Sequence, residues 1–129
     1  QLEIRGLDTL EAISIEADKD LIHQAVYNLV DNAIKFTKNG GYIDFSLKTE
    51  NKKTVLTVKN SGSGIPQKDL PYIFERFYKV DKSRSSDTKG VGLGLYIVKT
   101  IINMHDGEIS ASSKQGEYTE FMFEIPFTE

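Results

Sequence analysis

At 129 residues the chain is the size of one domain, long enough for a single hydrophobic core and too short for two. It has no cysteine, which excludes disulfides and thiolate metal sites. Its formal charge of −3 excludes the broad basic face that nucleic-acid binding demands, while leaving room for a local cation cluster on one anionic ligand. No apolar run approaches the roughly 18 residues needed to cross a bilayer. The chain opens at Gln1 without a charged-then-apolar leader, which predicts an internal piece of a longer protein, one domain over residues 1–129.

In chain order, a short strand at Ile13/Ile15 is the first expected element. Asp18 is an N-cap type residue before a segment in which Leu21, Ile22, Ala25, Val26, Leu29, Ala33 and Phe36 recur at three- and four-residue spacing. That is an amphipathic helix ending near Asn39-Gly40-Gly41. Ile43/Phe45/Leu47 and Thr54/Leu56/Val58 alternate on either side of the polar Glu50-Asn51-Lys52-Lys53, the pattern of an antiparallel hairpin. A glycine-rich stretch runs from Asn60 to Pro66, and a long polar loop from Lys79 to Gly90, a length that compact domains keep for function or disorder. Leu93, Ile97, Val98, Ile101 and Ile102 predict a second helix stopped by Asp106-Gly107. Strands follow at Ile109/Ala111 and Phe121/Phe123/Ile125, with Gln115-Gly116 between them.

The polar residues among these elements suggest a pocket. Asn28, Asn32 and Lys35 project from one face of the first helix beside its apolar stripe, with Phe36 adjoining. A solvated face is the plainer reading of any one of them. The three together make a plausible lining, and an amide oxygen is a hard ligand suited to Mg²⁺. Gly62 and Gly64 follow a strand directly, where a backbone without Cβ atoms can approach a flat ligand. GVGLGL, Gly90 to Leu95, opens a helix, so its free amides and positive dipole end can face phosphate oxygens. It matches neither the dinucleotide-binding nor the Walker pattern, which disfavours both standard nucleotide folds.

Taken together, NLVDNAIKFT (Asn28 to Thr37), NSGSGIP (Asn60 to Pro66), IFERFYK (Ile73 to Lys79), GVGLGL and GEYTEF (Gly116 to Phe121) resemble, in order, the N, G1, F, G2 and G3 boxes of histidine-kinase catalytic domains. Five ordered motifs are far more specific than any one. The resemblance implies the Bergerat ATP-binding fold, shared with type II topoisomerases, mismatch-repair ATPases and heat-shock chaperones. That fold is an α+β two-layer sandwich, a mixed, mostly antiparallel sheet covered by helices on one face. It implies ATP and Mg²⁺ as ligands. Asn32 would ligate the metal, Asn28 and Lys35 would lie near the phosphates, and Phe36 would pack against adenine. Asn60 falls where an acidic residue reads the adenine amino group, Gly62, Gly64 and Ile65 fall in the G1 loop, and Phe74 and Phe77 would be packing residues. Lys79 sits where a phosphate-contacting arginine is common, and with Asn28 and Lys35 completes the catalytic candidates. Gly90, Val91, Gly92, Leu93, Gly94 and Leu95 would cradle phosphate, and Thr119 matches the G3 box.

Some residues depart from the pattern. Asn60 replaces the usual Asp but can still accept a hydrogen bond from an amine. Lys79 is a point charge where a bidentate fork is common. Tyr118 takes a position commonly occupied by glycine. Neither histidine fits a phosphoacceptor: His23 lacks the following acidic residue, and His105 at a helix end suits a terminal hydrogen bond. The rivals within the fold are an ATP hydrolase, a nucleotide-sensing module and a serine kinase of the anti-sigma type. Hydrolases of this superfamily resemble one another in carrying a Glu four residues before the Mg²⁺-binding Asn, whereas Asn28 offers no base there. The resemblance therefore implies phosphoryl transfer to a histidine on the dimerisation domain of the same kinase, and indirectly to a response regulator. It implies a monomer for the isolated domain and a homodimer for the parent, with the catalytic domain cytoplasmic and the parent anchored in the cell membrane.

Overall fold

The structure, a computed structural model of the chain, describes residues 3–5, 19–37, 40–78 and 93–126. The expected Ile13/Ile15 strand, the Asp18 cap and the 79–90 loop lie outside the described residues. Strand β1 (Glu3–Arg5) precedes helix α1 (Lys19–Phe36), strands β2 (Tyr42–Glu50) and β3 (Lys53–Ser61), a single 3₁₀ turn (Leu70–Tyr72), helix α2 (Gly94–Met104) and strands β4 (Glu108–Lys114) and β5 (Tyr118–Pro126).

The strands form a five-stranded sheet in the order β1-β2-β3-β5-β4. β1 runs parallel to β2 and the remaining pairs are antiparallel, so the sheet is mixed and mostly antiparallel. The β2–β3 hairpin closes on Asn51 and Lys52, both at positive φ (51° and 61°). That primed two-residue turn matches the right-handed twist of the flanking strands. β1 was not expected, because three residues are too few to show an alternation.

Register places one residue from each of β2, β3, β5 and β4 in rows across the core face. Phe45, Val58, Phe121 and Ala111 form one row, and Leu47, Leu56, Phe123 and Ile109 the next. Against them pack Ala25, Leu29 and Ala33 of α1 and Val98, Ile101 and Ile102 of α2, in one continuous cluster. The two helices also pack on each other. Full burial of a side chain such as Leu29, Ile43 or Phe121 is worth about 1.5–3 kcal/mol, so this cluster drives folding. The opposite face carries Asp44, Lys59, Glu120 and Glu124. No described helix is long and apolar enough to cross a membrane.

The last row is polar beyond Ile43. Ile43, Asn60, Thr119 and Ser113 lie side by side on the core face, and Asn60, Thr119 and Ser113 are buried. The core thus ends in a polar floor at the sheet edge nearest the end of α1.

Candidate functional site

Helix α1 meets the rest of the domain at two of the predicted site residues. Asn28 Nδ2 donates to the carbonyl oxygen of Gly94, at the first residue of α2, over 3.4 Å. Eight residues later the carbonyl of Phe36 lies against Gly62, so closely that a Cβ there would come within 2.5 Å of it. Those contacts are about 12 Å apart along the helix axis. Between them Asn32 is part-buried, one turn from each end. The stretch of α1 from Asn28 to Phe36 is therefore bounded by the opening turn of α2 on one side and the glycine loop on the other.

The glycine loop is fastened to the β4–β5 turn. Gly62 N–H donates to Glu117 O (3.1 Å) and Gly116 N–H to Ser63 O (2.6 Å). Gly64 has φ +75°, and a Cβ there would lie 2.7 Å from Lys114 O and 2.8 Å from Ser113 Oγ. Sequence reasoning assigned both glycines to close approach of a ligand. In the structure the space at each is taken by the protein's own chain, so their first role is to let three backbone segments meet.

Asn60 is 2 % exposed, and its Nδ2 donates to Ser61 O over 3.0 Å. That bond uses one of the two amide N–H groups and orients the side chain, and Oδ1 is left as an acceptor. Thr119 is its register partner on β5. Phe36 is 49 % exposed at the helix end. Lys35 pairs with Asp31 at 3.1 Å, its side chain about one-third exposed (32 %), so the structure directs its charge back along α1. Leu93 is the N-cap of α2, and Leu95 and Ile65 pack against the core. Lys79, Gly90, Val91 and Gly92 lie outside the described residues.

Tyr118 leaves the floor clear. Neighbouring strand residues face opposite ways, so it points away from Thr119, and the Lys59 ammonium sits 4.3 Å from its ring centroid. Phe74 packs edge-on against Phe121, with centroids 6.1 Å apart, as expected. Phe77, by contrast, is 62 % exposed, at a residue with φ of 66°. His105 Nδ1 donates to Ile101 O (2.8 Å), the helix-terminal bond anticipated for it.

Sequence reasoning passed over Ser113 and the Asp69–Tyr78 pair. Ser113 Oγ accepts from Ile65 N–H (2.6 Å) and donates to Tyr118 O (2.7 Å), tying the glycine loop to β4 and β5. The signal that could have found it is its register: it continues the Ile109/Ala111 alternation on the core face. Asp69 is buried and accepts a hydrogen bond from Tyr78. Arg76 spans to α2, donating to Tyr96 Oη (2.8 Å), which holds that phenol below its ordinary pKa.

The fold and these motifs define a class. The chain belongs to the histidine kinase-, DNA gyrase B-, and HSP90-like ATPase family, whose sequence model matches residues 17–129. Within that family it is similar to sensor histidine kinases. It is 40 % identical over 117 residues to sensor histidine kinase WalK of Bacillus subtilis (strain 168), covering 89 % of this chain and 19 % of WalK. Among solved structures, the catalytic domain of histidine kinase ThkA superposes with TM-score 0.79 at 34 % identity, covering 98 % of this chain and 78 % of that one. Full-length ShkA in complex with AMPPNP superposes with TM-score 0.80 at 29 % identity, covering 98 % and 26 %. The chain spans about a fifth of the length of the curated relatives it matches (19 %).

Proposed function

We propose that this chain, as one domain over residues 1–129, binds Mg-ATP and transfers its γ-phosphoryl group to a histidine on the dimerisation domain of a parent sensor histidine kinase. The observation that carries the reading is the pair of contacts at the ends of the Asn28–Phe36 stretch, one to the opening turn of α2 and one to the glycine loop. A nucleotide fits that groove by chemistry at both ends. At the Phe36 end, the Asn60 oxygen and Thr119 hydroxyl suit a purine amino group and the exposed ring suits its face. At the Asn28 end, the first-turn amides of α2 suit phosphate oxygens.

Asn32 would give Mg²⁺ one oxygen, the rest coming from water and phosphate. Bound Mg-ATP supplies the transferable phosphoryl group and the metal charge that neutralises it. The chain's own residues orient it: Asn60 and Phe36 hold the base, Asn28 braces α1 against α2, and Lys35 and Lys79 are the cations for the phosphates. Asn28 is an amide and offers no proton acceptor to activate water, which favours transfer over hydrolysis. The acceptor histidine comes from the partner domain, the response regulator acts downstream, and the parent works as a membrane-anchored homodimer with this domain in the cytoplasm.

The test is a labelling assay with γ-labelled ATP. The isolated chain is expected to bind ATP in Mg²⁺ without labelling itself, and to label the parent's dimerisation domain added in trans, slowly because the tether is absent. Label on His23 or His105, or rapid phosphate release without a partner, would overturn the proposal.

A further inference from the structure

Ser113 uses all of its hydrogen-bonding capacity. A hydroxyl has one proton and two lone pairs. The proton goes to Tyr118 O at 2.7 Å, since a carbonyl can only accept. One lone pair receives Ile65 N–H at 2.6 Å. The remaining neighbour is Thr119 Oγ1 at 3.4 Å, and with the Ser113 proton already spent, Thr119 must be the donor in that contact. The Thr119 proton then points at Ser113, and its lone pairs face the other way along the row, towards Asn60. Asn60 is held in the matching sense: one N–H of its Nδ2 goes to Ser61 O, which fixes the amide plane and leaves Oδ1 as its acceptor.

We infer that Ser113 is a positioning residue for base selection, aligning Thr119 so that its Oγ1, beside Asn60 Oδ1, presents an acceptor to a purine 6-position. Such a pair favours a 6-amino group, which donates, and disfavours a 6-oxo group, which accepts. The inference rests on the proposed reading that the purine edge lies against Asn60. It goes beyond that reading by assigning selectivity to a side chain one strand away. Without Ser113 the Thr119 hydroxyl is free to rotate and to donate to a 6-oxo group, so the loss of selectivity appears partly as a gain of binding.

The experiment measures Kd for ATP and for inosine triphosphate, which differ at the 6-position and its ring proton, in the 129-residue chain and its variants. In Ser113→Ala the preference for ATP is expected to fall roughly tenfold, the scale of one hydrogen bond, with inosine triphosphate binding more tightly than to the parent. Ser113→Thr keeps a hydroxyl and should restore the preference. Thr119→Val removes the rotating group, so adding Ser113→Ala to it should leave the preference unchanged. Equal weakening of both nucleotides in Ser113→Ala, or no change in either, would overturn the inference. If Ser113→Ala fails to fold, Thr119→Val decides: an unaltered preference refutes it. A parent chain that binds the two nucleotides equally would instead refute the reading of the base site itself.

Discussion

The hydroxyl of Tyr78 donates a hydrogen bond to the carboxylate of Asp69, which is buried beneath the turn that follows the glycine loop. The Tyr72 ring packs beside Tyr78 with centroids 5.8 Å apart. Backbone bonds from Asp69 N–H to Pro66 O and from Tyr72 N–H to Asp69 O, both 2.9 Å, hold the carboxylate in place. This pair fixes the chain one residue before Lys79.

The pair gives a pH prediction. The hydrogen bond to Asp69, then burial and the carboxylate's charge, pushes the Tyr78 phenol from its ordinary value near 10 up to about 12. A group whose pKa is raised by folding contributes stability below its unfolded pKa and loses it as pH rises through the folded one. The contribution is therefore whole below about pH 10 and lost between about pH 10 and 12. Denaturant midpoints measured across that window should fall more steeply for the parent chain than for Tyr78→Phe. Parallel falls would refute the assignment.

Gly64→Ala should destabilise the domain by about 1–3 kcal/mol from its left-handed backbone alone. The cost rises further because the new Cβ would meet the Lys114 carbonyl at 2.7 Å. Urea unfolding reads this directly. A loss below about 0.5 kcal/mol, the range of ordinary surface changes, would show that the loop does not need this conformation.

Asn32 and Asn28 should separate. Asn32→Ala is expected to abolish the Mg²⁺-dependent part of ATP affinity while leaving the fold intact, because the side chain lies beside the apolar stripe and not in it. Asn28→Ala removes a long, exposed bond to Gly94 (3.4 Å) and should cost no more than about 0.5 kcal/mol of stability. Calorimetric titration with Mg²⁺ and with a chelator distinguishes them, and identical ATP binding by Asn32→Ala and parent would remove Asn32 from the metal site.

Lys35 pairs with Asp31 one turn earlier at 3.1 Å, a solvated arrangement worth about 0.2–0.5 kcal/mol. Asp31→Ala should therefore change stability by no more than about 0.5 kcal/mol. Lys35→Ala should weaken ATP binding, more at low salt than at high, if its charge serves the phosphates. An effect of Lys35→Ala on stability with none on ATP would confine it to the helix surface.

The helices and strands were legible because their signal is local. Leu21 to Phe36 repeats at helical spacing and Ile43/Phe45/Leu47 alternates, so each segment declares its own buried side. α1 ends at Phe36, short of the Asn39-Gly40-Gly41 stop read from the sequence, and Thr37 Oγ1 turns back to bond Ala33 O at that end. Asn28, Asn32, Asn60 and Thr119 were named as candidates through motifs. What brackets the Asn28–Phe36 stretch was not legible: it depends on Phe36 touching Gly62 and on Asn28 touching Gly94, residues 26 and 66 positions apart in the chain. Ser113 shows the limit most clearly. In Ile109-Ser110-Ala111-Ser112-Ser113 the serines look alike, yet Ser110 and Ser112 are exposed and Ser113 is buried. A hydroxyl has no preference strong enough to mark its side of a strand. Which serine is buried follows from strand register, and what it holds follows from the glycine loop that register brings over it, because hydrogen bonds form between neighbours in space whatever their separation in the chain.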